Sequence, residues 1–427
     1  KTALINFLSI VAGVQFRALN CHAGTTLEEI VSWTNSICKE ALSSKQTSFW
    51  AFADEINTCE HLGVLAELIC HHKINGRPVP PNVSFLAACN PYCMKASPKI
   101  GMTAGFENKK ITPSELVYQV RPLPENLLDY VWDYGGLSVE DEHSYIERML
   151  RNPSISLPDS IVSQAAGVVE ASQIFMRQKI ANWSVSLRDV RRFVKFYHWF
   201  IKSFEREYKV NEFAHAISIE SKAVILSLSL CYNCRLETRA LRKEYQTLIS
   251  SKMSGMTVKI FSETIKREQL DYLSRMELPA GTARNEAVLE NVFVLLVCIL
   301  NKVPVFLVGK PGSSKSLSMG IVCRNLKGKE SSDPWLLELP QIFPVPFQGS
   351  ESSTSEGIKK VFDKAKKLNA EKDKISKFDI LPLVILDEIG LAEISVHNPL
   401  KVLHSALEPQ SGVLEMAVVG ISNWALD

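Results

Sequence analysis

What this 427-residue sequence lacks narrows it first. Charge of one sign is missing: 48 Lys and Arg stand against 46 Asp and Glu, interspersed along the chain. A nucleic-acid footprint needs basic residues gathered on a face, so the balance argues against nucleic acid as a partner. No uninterrupted apolar run is long enough to span a bilayer. The most hydrophobic stretch, "NVFVLLVCILNKVPVFLVG" (291–309), is broken by Asn301, Lys302 and Pro304, and it predicts a buried helix, a tight turn and a buried strand. No secretory leader is visible. Ten cysteines are present without framework spacing, which reads as reduced thiols of a cytosolic protein. Only "CYNC" (Cys231, Cys234) has metal or redox spacing, and without a second such pair no zinc is expected there; the surrounding segment reads as a helix. "CEHLGVLAELICHHK" (Cys59–Lys73) has leucines at helical spacing and reads as buried thiols beside surface histidines.

Apolar residues are plentiful, 46% of the chain, and the length allows two or three domains with sizeable cores. In "VPVFLVGKPGSSKSLSMGIVCRNL" an apolar strand enters a small-residue loop, which enters a helix at Ser314 or Lys315. That is the setting of a phosphate-binding loop: backbone N–H groups and a helix N-terminus face the phosphate, and lysine adds a point charge. Gly309, Lys310, Pro311, Gly312, Ser313, Ser314, Lys315 and Ser316 are the candidate nucleotide-binding residues. The pattern departs from GxxxxGK[ST] at Ser314, whose side chain is expected to narrow the cradle.

Two further strands supply the rest of such a site. "FDILPLVILDEIG" ends in Asp387-Glu388. The aspartate, with Ser316, is a candidate Mg²⁺ ligand, directly or through water, and the glutamate a candidate general base for a water attacking the γ-phosphate of ATP. "VLEMAVVGISN" ends on Asn423, an amide able to orient that water. The pattern then recurs near the start of the chain. "TSFWAFADEIN" ends in Asp54-Glu55 and "VSFLAACN" in Asn90; thirty-six positions separate Asp54 from Asn90, and thirty-six separate Asp387 from Asn423. The sequence therefore predicts an internal repeat of about 330 residues. The opening "KTALINFLSI" fits as the end of the first copy's phosphate loop, with Lys1 on phosphate and Thr2 and Asp54 on Mg²⁺, and with the preceding Gly-rich portion outside the chain.

Between the copies the sequence is helical. "SLRDVRRFVKFYHWFIKSF" has Ser186 as an N-cap. Arg188 reads either as an arginine that reaches back to the γ-phosphate from a helical lid or as part of a solvated basic face. The run Lys359–Lys377 reads as a solvated helix and loop.

"FLVGKPGSSKSLS", "VILDEIGLAE", "NPLKVLHSALE" and "GISNWALD" resemble one ATPase unit, and "LNCHAGTTLEEI", "DEINTCEHLGVLAELICHHKINGRPVP", "AACNPY" and "PENLLDYVWDYGGLS" the preceding unit, of the mysterin family of giant, dynein-like AAA+ RING-finger ubiquitin ligases. The resemblance covers most of the chain and is weakest between about Ile201 and Met276. It implies an α/β fold of two P-loop AAA+ modules with parallel sheets, the first followed by a helical lid. The expected boundaries are 1–120 for the first large subdomain, 121–250 for its lid, 251–280 for a linker and 281–427 for the second large subdomain, its lid lying beyond the chain. It also implies ATP and Mg²⁺ as cofactors, Glu55 and Glu388 as bases, and Asn90 and Asn423 as sensors. The rest of a long polypeptide, with a ubiquitin-conjugating enzyme and ubiquitin engaged elsewhere on it, would be the partners, in the cytosol and at lipid droplets. For the family's trans-acting arginine, Arg121 lies in the right region without a secure register.

Overall fold

The computed structural model describes residues 1–22, 24–91, 120–133, 135–151, 157, 159–208, 217–371, 379–395, 399–407 and 414–423. The last part of the charged run, 372–377, lies outside them, as does the end of "GISNWALD".

The first α/β unit runs α1 (Thr2–Val11), β1 (Gln15–Asn20), α2 (Leu27–Ser43), β2 (Phe49–Asp54), α3 (Leu62–Ala66), a hairpin of β3 (Lys73–Ile74) and β4 (Arg77–Pro78), and β5 (Val83–Ala87). Its three-stranded parallel sheet has the order β1-β2-β5. Helix α2 is started by a capping box: the Thr26 side chain accepts from the Glu29 N–H, and the Glu29 carboxylate accepts from the Thr26 N–H. Its apolar face, Ile30, Ile37 and Ala41, covers one side of the sheet.

A helical layer follows: α4 (Glu125–Leu128), α5 (Val139–Leu150), α6 (Asp159–Lys179), α7 (Leu187–Tyr208), α8 (Ile219–Cys231), α9 (Arg239–Lys252) and α10 (Val258–Ser274). Two local readings change here. The "CYNC" segment is two helices, broken by a 3₁₀ turn at Asn233–Arg235 and restarted by Thr238, whose hydroxyl caps the Leu241 N–H. The span expected as a linker carries α10, whose Phe261, Ile265, Tyr272 and Leu273 are buried in the core of the layer. Between Leu127, the last residue of the first unit's core, and Ile146, the first of the helical core, every described residue from Leu128 to Asp141 is exposed.

The second α/β unit runs α11 (Glu286–Leu300), β6 (Val305–Val308), α12 (Lys315–Asn325), α13 (Pro334–Leu337), β7 (Gln341–Gln348), α14 (Ser355–Ala370), β8 (Ile380–Asp387) and β9 (Ala417–Ser422). The helix, turn and strand expected over 291–309 are α11, the Asn301-Lys302 turn and β6. The parallel sheet has the order β6-β9-β8-β7. Pro344 and Pro346 cannot donate to a ladder, so β7 is an edge strand, while the apolar run of β8 is buried at the centre. Among the described residues no helix is long and apolar enough to cross a membrane.

The two sheets are built alike. In each, a strand (β1 or β7) is followed by a helix (α2 or α14), then the acid-tipped strand (β2 or β8), then the amide-side strand (β5 or β9). Asn20 lies beside Asp54 in one register and Gln348 beside Asp387 in the other. The chain is α/β with parallel sheets and many helices. One continuous hydrophobic core joins the helical layer to α11, α12 and one face of the second sheet; the other face packs under α14.

Candidate functional site

Each acid-tipped strand ends in the same turn. After Asp54, Glu55 has φ 52°, and after Asp387, Glu388 has φ 48°. In both, the glutamate N–H donates to the preceding aspartate Oδ1 at 3.0 Å. A left-handed non-glycine residue costs roughly 1–3 kcal/mol, and both acid pairs carry that cost. Gly349 N–H donates to Asp387 O at 2.8 Å, and a Cβ on Gly349 would stand 2.4 Å from Glu388 O. The first copy makes the same backbone bond from Cys21 to Asp54 O at 2.9 Å. Burial pushes the Cys21 thiol up to about 12, with Cys59, Asp54 and Glu55 adding to the rise.

The phosphate-loop candidate joins β6 to α12. Gly309 N–H donates to Ser422 O at 3.2 Å, tying the start of the loop to the amide-side strand. Gly309 also lets the loop fold closely, since a Cβ there would meet Ser313 Oγ at 2.9 Å. Lys310, Pro311 and Gly312 form an exposed crown, with Gly312 at φ 82°. Ser314 has φ 62°, so the generic pattern's glycine is explained by backbone conformation, and serine here adopts it. The Lys315 ammonium, only 7% exposed as a residue, donates to Gly309 O at 2.5 Å, Lys310 O at 3.1 Å and Ser313 Oγ at 3.3 Å. Asn291 on α11 supports the loop from behind, donating through Nδ2 to Ser313 O at 3.1 Å. Ser316 is exposed on the first turn of α12. Across the sheet, Asn423 Nδ2 donates to both Glu388 oxygens, at 3.1 and 2.9 Å.

In the first copy four predicted residues converge. The Thr2 hydroxyl donates to Asp54 Oδ2, and the Lys1 ammonium donates to Cys89 O and to Asn90 Oδ1, the last at 3.1 Å. A hydroxyl against a carboxylate at the foot of a helix is an all-oxygen donor pair of the kind Mg²⁺ takes.

Arg188 stands exposed on the first turn of α7, its N–H capped by Ser186 Oγ at 3.2 Å, on a different element from either acid turn. Arg121 is ion-paired with Glu60 at 2.6 Å. Cys231 is buried and its Sγ lies 3.8 Å from Asp189 O; burial pushes the Cys234 thiol up to about 12. Among the described residues no group of three or more His, Cys, Asp or Glu could hold a metal ion. Sequence reasoning missed Asn57, Asn291 and Gly349. All three act through main-chain contacts 22 to 39 positions away in sequence, which no local spacing reveals.

Comparison with known proteins extends the geometry. A family model described as "RNF213 AAA domain" matches residues 281–427. The whole chain is 34% identical to the E3 ubiquitin-protein ligase RNF213 of Homo sapiens and 33% to that of Mus musculus. It is 32% identical to the E3 ubiquitin-protein ligase rnf213-beta of Danio rerio. In each case the chain spans 9% of the relative's length.

Proposed function

The chain belongs to the RNF213 (mysterin) family, and from that premise we propose that it forms part of an AAA+ core that binds and hydrolyses ATP with Mg²⁺ within an E3 ubiquitin ligase. The observation that carries the reading is the doubled acid turn, met in the first copy by its lysine, hydroxyl and amide and in the second by its amide.

The donor sets fit the groups they would hold. Lys315 is gathered by loop oxygens where phosphate oxygens would compete for it, with Gly309 to Ser316 wrapping the nucleotide; Lys1 and Thr2 would serve the first copy. Mg²⁺, held by Ser316 and Asp387 or by Thr2 and Asp54, would neutralise charge on the phosphates. Glu388 and Glu55 accept the proton of the attacking water, and Asn423 and Asn90 orient it. Arg188 reaches the γ-phosphate from the helical layer when that layer closes over the first unit. The domain limits proposed are those stated from the sequence, with α10 extending the helical layer through the former linker. The ligase chemistry, its conjugating enzyme and ubiquitin, and a cytosolic or lipid-droplet location belong to the whole protein.

A second reading, a nucleotide-held scaffold with little turnover, is favoured by one contact: Asn423 occupies both carboxylate oxygens of Glu388. Turnover decides between them. Phosphate release by the whole polypeptide carrying these residues, with Glu388→Gln and Glu55→Gln as controls, supports hydrolysis if both controls slow it. Bound ATP that persists uncleaved in the unmutated protein supports the scaffold.

A further inference from the structure

Asn57 is 2% exposed and lies in the 3₁₀ turn Ile56–Thr58, directly after the first acid pair. Its side chain spends both ends on one residue's main chain. Nδ2 donates to Asn90 O at 2.8 Å, and Oδ1 accepts from Asn90 N–H at 3.3 Å. Backbone polarity fixes which end of the amide faces which group. Its own carbonyl accepts from the Arg121 N–H at 2.7 Å, so the turn that carries it is held from the far side as well.

The two copies differ around this clamp. In the second copy β9 runs through Ser422, its last two residues paired with β6 and not with the acid-tipped strand. In the first copy β5 leaves the acid-tipped strand at Ala87, the position matching Gly420, main-chain bonds continue to Ala88, and the Asn57 side chain takes up the main chain at Asn90. The position matching Asn57 by the spacing of the acid pairs is Gly390, which has no side chain to offer. The amides then point differently: Asn90 Oδ1 accepts from Lys1, whereas Asn423 donates to Glu388.

We infer that Asn57 is a positioning residue of the first site, holding the main chain of Asn90 so that its amide faces the phosphate end of that site. The inference rests on reading the first unit as a site of ATP hydrolysis. A displacement on the order of 1 Å in a positioning element can cost about a hundredfold in rate.

The experiment uses the whole polypeptide with Lys315→Ala silencing the second site. Asn57→Ala should lower kcat by about ten- to a hundredfold, with KM for Mg-ATP changed by less than about threefold. On an Asn90→Ala background the same substitution should cost nothing further, because the group it aims is gone. Asn57→Asp, which keeps volume and acceptor but loses the donor, should also lower kcat. In parallel, hydrogen exchange at Asn90 N–H should accelerate by at least about tenfold in Asn57→Ala, without nucleotide. An unchanged kcat, or an equal loss with and without Asn90, overturns the positioning role. Unchanged exchange overturns the clamp itself. If the parent hydrolyses nothing, the reading of the first site has failed instead, and the exchange measurement still decides the clamp.

Discussion

A single methyl group on Gly349 should disable the second site through the backbone of its base. The Cβ of Gly349→Ala would lie 2.4 Å from Glu388 O, 2.9 Å from its carbonyl carbon and 3.0 Å from Ile389 Cα. All three are main-chain atoms, so no rotamer change relieves the clash. Ordinary contact begins at about 3.4 Å, so the Glu388 turn must retreat by roughly 1 Å, and it is already left-handed. Overpacking of this kind costs about 1–3 kcal/mol of stability, and a shift of about 1 Å in a reacting group costs about a hundredfold in rate. The assay is single-turnover ATP cleavage at the second site, with Lys1→Ala silencing the first, beside nucleotide affinity and thermal melting. Affinity should hold within a few-fold, since the loop around Lys315 is not touched, while cleavage falls by about two orders of magnitude. Cys21→Ala is the control: that position of the first copy already carries a Cβ, and its substitution should leave first-site cleavage near its parent value. Parent-like cleavage by Gly349→Ala would refute the claim that the glycine's close approach sets the position of Glu388.

Lys315→Ala should weaken nucleotide binding at the second site about ten- to a hundredfold, the worth of a hydrogen-bonded charge, read by titration with the first site silenced. Glu388→Gln should leave binding intact and slow cleavage about 10²- to 10⁴-fold, read by quenched flow. Ser314→Val should destabilise the chain by about 2 kcal/mol, because a β-branched residue resists φ 62°, whereas Ser314→Gly should not; melting curves separate the two. Burial pushes the Cys298 thiol up to about 12 from an unfolded value near 9, so its contribution is present below pH 9 and is lost as pH rises towards 12. Melting temperature should fall across that window, and less steeply in Cys298→Ala.

The strand tips were legible because each ends an apolar run on a fixed polar pair, and equal spacing in both copies ties distant segments together without any structure. The turn at Asn301 and Lys302 was legible for the same reason: polar residues and Pro304 interrupt an otherwise continuous apolar stretch. Helix α10 was not. Its buried face is spread thinly through "VKIFSETIKREQLDYLS", and the charged face dominates composition. The break between α8 and α9 was signalled by Thr238 as a cap and hidden by the flanking apolar run. Nothing local announces that Ser314 and both glutamates are left-handed, since that conformation is imposed by the strands and helices that meet there.

The exposed connector from Leu128 to Asp141 separates two cores. One core ends at Leu127 and the next begins at Ile146, so torsions changed between them disturb neither. Beyond it, the helical layer and α12 of the second unit share one core. A turn of that core against the first sheet would carry Lys315 with it and would part Glu29 from Lys359, 3.9 Å apart. The two acid pairs, 333 positions apart in sequence, thus lie on either side of this exposed stretch, and Glu29 and Lys359 are where their units approach.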